Sequence, residues 1–231
     1  MSDFFEGRHV SAFFSDRSVD FALNGRPVFT LQQKDFLSHY VGDFWSRTVF
    51  LRQRHGSDVL TITEGVAYSP TSLEADSLIT RVVHLPLAIR TADCLPVFLF
   101  DPELKGIALI HAGWRGSRKG IVKETIQKMT ELWGTRPAHL KVALGPAIRP
   151  CCYRVGEEFQ QDFPNEIQKR ADGFYLDLGL VNRNQLLELG VSRGNIFDCG
   201  FCTCCDSRFF SYRRDGYKAG RMISVMMLRE S

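Results

Sequence analysis

The chain lacks the marks of several protein classes. No apolar run in its 231 residues approaches the roughly 20 needed to span a bilayer, so a membrane partner is not expected. An excess of one charge sign is also missing: 29 basic residues face 26 acidic ones, a net +3. That balance, with basic residues scattered, gives no case for nucleic acid. One of the few adjacent basic pairs, Arg213-Arg214, runs directly into Asp215 and reads as a solvated face. Residues Met1-Ser2-Asp3-Phe4-Phe5-Glu6-Gly7 show no basic stretch followed by an apolar one, so export is not expected. Internal repeats, low-complexity tracts and Pro/Ser-rich linkers are absent, and 44% hydrophobic content suffices for one full core. The expectation is a single domain over 1–231. Seven cysteines, an odd number without an export signal, read as reduced thiols in a cytoplasmic protein.

The legible pattern begins near residue 48. Residues 48–54 and 58–63 read as strands joined by a hairpin turn at His55-Gly56-Ser57. Residues 86–90, 95–100, 106–111 and 140–144 read as further strands, as do 196–197, 209–212 and 222–228. Residues 117–133 predict a helix: Ile121, Val122, Thr125, Ile126, Met129, Leu132 and Trp133 share one face, and Gly134 is placed to end it. Helices are also expected over 155–163 and 180–189, with Gly190 in the capping position. Residues 1–45 are the least legible. Strands outnumber helices without regular βα alternation. The expected class is therefore α/β in the α+β sense: layered mixed sheets flanked by helices, not a doubly wound Rossmann fold.

Chemistry concentrates where strands end. His111 closes an apolar strand and is followed by Ala112-Gly113-Trp114-Arg115-Gly116. Alone, a histidine there would merely bond a carbonyl. Gly113 and Gly116 let the backbone turn sharply, and a helix starting near Ser117 adds positive charge at its N-terminus. Arg115 supplies a planar cation suited to phosphate or carboxylate. The turn reads as an anion site, although the P-loop spacing is missing. Cys94, after Asp93 and before Pro96, is expected at a strand start near a sheet edge, as zinc ligand or nucleophile. His55 lies in the hairpin turn. If these three strand ends converge, His55, Cys94 and His111 form the three-ligand set of a catalytic zinc with an open fourth position. Ligand atoms more than about 5 Å apart would rule that out, given bonds of ~2.0–2.3 Å. Cys199, Cys202, Cys204 and Cys205 lack a second spaced pair or a nearby histidine, and with the adjacent Cys151-Cys152 read as buried free thiols. On pattern, Arg17 is an ordinary surface arginine.

Several motifs occur in one order: Gln53-Arg54-His55-Gly56-Ser57-Asp58-Val59, Glu74-Ala75-Asp76-Ser77, Thr91-Ala92-Asp93-Cys94-Leu95-Pro96-Val97 and His111-Ala112-Gly113-Trp114-Arg115-Gly116. Leu144-Gly145-Pro146-Ala147-Ile148, Cys151-Cys152-Tyr153-Arg154-Val155-Gly156 and Phe209-Phe210-Ser211-Tyr212-Arg213-Arg214-Asp215 follow. From residue 48 onward this set resembles the YfiH-like family, long labelled multicopper polyphenol oxidase or laccase-domain proteins. The resemblance implies layered sheets flanked by helices and a zinc-capable site at His55, Cys94 and His111. It also implies a functional arginine in an N-terminal Ser-Thr-Arg-x-Gly-Gly motif. Ser15-Asp16-Arg17 matches its start, but Ser18-Val19-Asp20 lacks the glycines.

The resemblance implies phosphorolysis of purine nucleosides (adenosine, inosine, methylthioadenosine), adenosine deamination, or editing of peptidoglycan precursors. Phosphorolysis would use Arg115, the Gly113 turn and Arg17 for phosphate. Deamination would use a zinc-activated water, with Asp93 or Asp76 moving the proton. Cys94 with a histidine base is the covalent alternative. Copper, as in the old label, is the weaker reading: six histidines with no His-x-His pair cannot build a multinuclear cluster. The expected partners are nucleoside and phosphate, with no nucleic acid or membrane, in a monomer or homodimer.

Overall fold

The computed structural model of the chain describes Phe5 and residues 9–22, 29–64 and 73–230. The reading of Met1 to Gly7 as free of an export leader lies, except for Phe5, outside the described residues. In chain order the strands are β1 (Val10–Phe14), β2 (Val49–Phe50), β3 (Val59–Ile62), β4 (Ser77–Thr80), β5 (Leu87–Thr91), β6 (Leu95–Asp101), β7 (Gly106–Ala112), β8 (Lys141–Leu144), β9 (Arg154–Val155), β10 (Ile167–Arg170), β11 (Gly173–Leu176), β12 (Ile196–Asp198) and β13 (Met222–Leu228). The helices are α1 (Leu31–Val41), α2 (Trp114–Arg118), α3 (Ile121–Trp133), α4 (Phe159–Asp162), α5 (Leu178–Glu188) and α6 (Tyr212–Asp215).

They form a mixed α/β architecture with three sheets. A six-stranded sheet runs β12-β8-β6-β7-β4-β3, a four-stranded one β1-β13-β5-β2, and a small one β10-β11-β9. The first two are mixed: β12 with β8, β3 with β4 and β2 with β5 are parallel, and the other pairs are antiparallel.

Side-chain alternation explains the layering. In β6, Leu95, Val97 and Leu99 face one core and Phe98 and Phe100 the other. In β7, Ala108 and Ile110 oppose Ile107 and Leu109 in the same way. Both strands are buried on both faces, hence their continuous apolar runs. One face packs on α3 and α5 through Ile121, Val122, Ile126, Met129, Leu178 and Leu186. The other meets the four-stranded sheet at Leu87, Ile89, Met226 and Leu228. That sheet's outer face, with Ala88, Ile223 and Val225, packs against Leu37 and Val41 of α1. The order is helix, sheet, sheet, helices.

Several expected elements are corrected. Strands β2 and β3 form no hairpin; they belong to different sheets, each paired in parallel with a later strand. The 117–133 helix is two helices, because Gly120 at φ +77 breaks the path between α2 and α3. Over 155–163 only the single turn α4 is helical, after the short strand β9. Residues 209–212 form no strand, and Ser211 instead caps α6 through the amide of Arg214. Gly134 and Gly190 do sit in left-handed conformations past helix ends, at φ +75 and +91.

Candidate active site

Sheet register brings the site together. Strands β6 and β7 are antiparallel with Leu95 opposite Ala112 and Pro96 opposite His111, so Cys94, just before β6, lies beside the end of β7. Strand β4 is antiparallel to β7, which sets Asp76 next to His111; the His111 amide donates to the Asp76 carbonyl at 2.8 Å. Strand β3 runs parallel to β4, so the His55 loop preceding it reaches the same sheet end.

The ligand atoms of His55, Cys94 and His111 all lie within 4.8 Å of one another, inside the ~5 Å limit for sharing one ion. The two imidazoles meet edge to face, with centroids 4.8 Å apart. Cys94 was expected near a sheet edge; it precedes a central strand, flanked by β7 and β8.

Asp76 is fully buried and organises both histidines. Its Oδ1 sits 2.8 Å from His111 Nδ1 and accepts the His55 amide at 2.9 Å. Its Oδ2 accepts the amides of Arg54 and Gly56 at 3.1 and 2.7 Å. Burial works against the charge, but His111 and these amides hold the carboxyl below its ordinary range. With Nδ1 on Asp76, Nε2 is the His111 nitrogen left to meet Cys94 or a metal. His55 itself sits at φ +58, a turn conformation bent around this carboxylate.

Without a metal, Cys94 and His111 form an ionic pair. Burial pushes the Cys94 thiol up, but the charge and hydrogen bond of His111, with help from His55, outweigh it and bring it to about 6. Burial likewise pushes His111 down, while the Cys94 thiolate and Asp76 raise it to about 9. The donor set fits zinc: two imidazole nitrogens and one thiolate, one histidine oriented by a carboxylate behind it.

Gly113 contributes clearance rather than a sharp turn. Its φ is an ordinary −78, and it caps α2, which begins at Trp114 and not near Ser117. A Cβ there would lie 2.9 Å from Cys94 Sγ and 3.3 Å from His55 Cδ2. Arg115 stacks over Trp114 at 4.4 Å and lines the cavity above the site.

That cavity, about 720 Å³, is lined by His55, Cys94, His111, Arg115 and Tyr153 among others. Two further wall residues were missed from sequence: Arg90 in β5 and Arg221 just before β13. The Arg90 Nη1 is buried without a hydrogen-bond partner, while its Nη2 donates to the Leu51 carbonyl at 2.9 Å. Burial and the neighbouring Arg221 charge lower Arg90 to about 10. Gln53 fixes the Arg90 backbone by two hydrogen bonds, at 2.7 and 2.9 Å. The available signal was a charged residue inside the apolar run Leu87-Ala88-Ile89-Arg90.

Two expected site residues have other partners, although Asp93 does line the cavity. Asp93, expected to move protons, has one oxygen on Thr203 Oγ1 at 2.6 Å and the other on the Arg213 amide at 2.6 Å. At φ +89 it braces the loop before Cys94. Arg17 is not among the cavity-lining residues; it lies over the Phe210 ring and donates to the Ser207 carbonyl. The late cysteines are corrected too: Cys151 and Cys205 are exposed, and with Cys152 and Cys202 they make a second cluster.

With this geometry, the comparisons are specific. The family model described as multi-copper polyphenol oxidoreductase laccase matches residues 25–229. The chain belongs to this family. Within the laccase-domain family, it is 37% identical to purine nucleoside phosphorylase YlmD of Geobacillus stearothermophilus over 204 residues, 80% of this chain and 73% of that protein. It is 30% identical to purine nucleoside phosphorylase YlmD of Bacillus subtilis, over 98% of this chain and 84% of that one. The solved YfiH structure from Bacillus licheniformis superposes with a TM-score of 0.84 at 29% identity, covering 95% of this chain and 93% of that one. As in that relative, layered sheets carry the fold.

Among the described residues, which include all six histidines, only His55 and His111 join a group of potential metal ligands. His139 pairs with Glu103, and His84 stacks on Phe44. Among the described residues, no histidine beyond His55 and His111 stands in a group of ligands that could build a multinuclear copper centre.

Proposed function

We propose that this chain is a purine nucleoside phosphorylase, using inorganic phosphate to cleave the bond between base and ribose. One observation carries the reading. The His55–Cys94–His111 group shares a cavity with Arg90, a buried guanidinium whose Nη1 has no partner. Placing a cation there is costly unless an anion arrives to compensate it. Two neighbouring arginines, Arg90 and Arg221, suit a phosphate's several oxygens. The phosphorylase names of the YlmD relatives agree with this chemistry.

Arg90 and Arg221 hold phosphate, and Arg115, which also lines the cavity, adds charge. Tyr153, with the more exposed Tyr212 and Tyr217, offers aromatic faces for the purine. Phosphate oxygen bonds to the ribose anomeric carbon as the carbon–nitrogen bond breaks, and the electron pair leaves on the base. Zinc, held by His55, Cys94 and His111, would supply a Lewis acid for that developing negative charge. Asp76 fixes the His111 tautomer, and Gly113 keeps the space between Cys94 and His55 open. Adenosine and inosine are the expected substrates, and adenosine deamination would use the same donor set.

The test is base release from inosine in phosphate-containing and phosphate-free buffer. Release that depends on phosphate, with a raised phosphate KM in Arg90→Met, supports the reading. Equal release without phosphate would make the enzyme a hydrolase and sink it.

A further inference from the structure

A second cluster lies outside this cavity. The sulfurs of Cys151, Cys152, Cys202 and Cys205 all lie within 4.8 Å of one another. Cys205 Sγ is 3.3 Å from Cys151 Sγ and 3.0 Å from Cys152 Sγ. Sulfurs around a tetrahedral zinc, with bonds of about 2.3 Å, stand about 3.8 Å apart. The cluster is therefore close to the size of a zinc tetrathiolate.

The four residues come from two loops. Cys151 and Cys152 follow the turn after β8, where the Cys152 amide donates to the Arg149 carbonyl at 2.9 Å. Cys202 and Cys205 have the two-residue spacing of a metal knuckle, in a turn closed by the Asp206 amide on the Cys202 carbonyl at 3.0 Å. Residues 199–211 form no helix or strand; backbone hydrogen bonds to Leu144, Ala147 and Arg17 and the Thr203–Asp93 contact hold them to the rest.

Surrounding charge suits a metal with four thiolates, a group of net charge −2. Arg213 Nη1 donates to the Arg154 carbonyl at 2.8 Å, and Arg214 Nη1 to the Thr203 carbonyl at 3.0 Å. Arg149 donates to the Phe201 carbonyl at 3.2 Å. Of the three guanidiniums that border these loops, Arg149 and Arg214 are paired with Asp198 and Asp215, and Arg213 has no ion pair among the described residues.

We propose that Cys151, Cys152, Cys202 and Cys205 hold a structural zinc ion, separate from the His55–Cys94–His111 group. Four soft thiolates in a closed set favour zinc and leave no open position for substrate. Each thiol gives its proton to solvent on binding. The ion staples the 199–211 loop to the 150–155 turn. The loop then presents Thr203 to Asp93, and the turn presents Tyr153 to the cavity.

Metal content of the purified protein tests this. Cys152→Ser and Cys205→Ser should each lose one zinc equivalent relative to the unaltered chain, whereas Cys94→Ser should keep it. Unchanged zinc in the Cys205→Ser protein, iron at the cluster, or the four thiols isolated as disulfides would each overturn the proposal. If the cluster variants fail to fold, cobalt replaces zinc during expression of Cys94→Ser. Intense thiolate-to-cobalt absorption is expected there, and its absence overturns the proposal. Because that background lacks Cys94, the outcome is independent of the proposed phosphorolysis.

Discussion

His111 Nδ1 lies 2.8 Å from Asp76 Oδ1, and the same carboxylate accepts the amides of Arg54, His55 and Gly56. One buried side chain therefore orients one histidine and shapes the loop carrying the other. Asp76→Asn should weaken zinc binding about 10- to 100-fold, the usual consequence of losing such an orienting partner. Asp76→Ala also strands three amides and should cost at least ~3 kcal/mol in denaturant unfolding. Zinc affinity unchanged in both variants would show that Asp76 does not organise the site.

Gly113 has a packing reason to be glycine. A methyl group there would meet Cys94 Sγ at 2.9 Å. Gly113→Ala should lose most activity and bound metal, with a modest change in Tm. Gly194→Ala, where nothing lies within 4 Å of the new Cβ, serves as the silent control. Metal retention by Gly113→Ala at the level of the control would refute the clearance argument.

Metal-free protein should reveal the Cys94–His111 pair by reactivity. Lowering Cys94 to about 6 gives stability present above the ordinary thiol value and lost as pH falls through about 6. Raising His111 to about 9 gives stability present below about 6.5 and lost as pH rises through about 9. Between about 6.5 and 9 the two slopes oppose and cancel, so unfolding stability should be nearly flat. The rate of Cys94 alkylation should instead rise through a midpoint near pH 6, and shift upward in His111→Gln. A midpoint near 9 in the unaltered protein would dismiss the pair.

Arg90 should trade stability for binding. Phosphate at a hundred times its Kd should stabilise the protein by about 2.7 kcal/mol, read as a rise in Tm. Arg90→Met removes the unpaired buried charge, so its Tm without phosphate should be no lower, and phosphate should no longer raise it. An equal phosphate response in the variant would move the anion site elsewhere.

The layers and the three-residue site were largely legible. The buried strands β6, β7 and β13 announce themselves as apolar runs, and His55, Cys94 and His111 sit where such strands begin or end. Pairing was less legible. The turn-like His55-Gly56-Ser57 imitates a hairpin, because nothing local reveals that Asp76, twenty residues on, bends that loop by accepting its amides. Gly120 reads as tolerable within a helix until its positive φ is seen. Arg90 hid because a lone cation in an apolar strand looks like an edge residue, and Asp93 looked catalytic because its partners Thr203 and Arg213 are more than a hundred residues away. Contacts of that range carry no local periodicity.

The most direct measurement follows phosphorus by NMR while the purified protein acts on inosine in phosphate buffer. Ribose 1-phosphate should appear in step with free base, one for one, and both should vanish in Cys94→Ala. Free base accumulating with phosphate unconsumed, or full turnover in Cys94→Ala, would contradict the account.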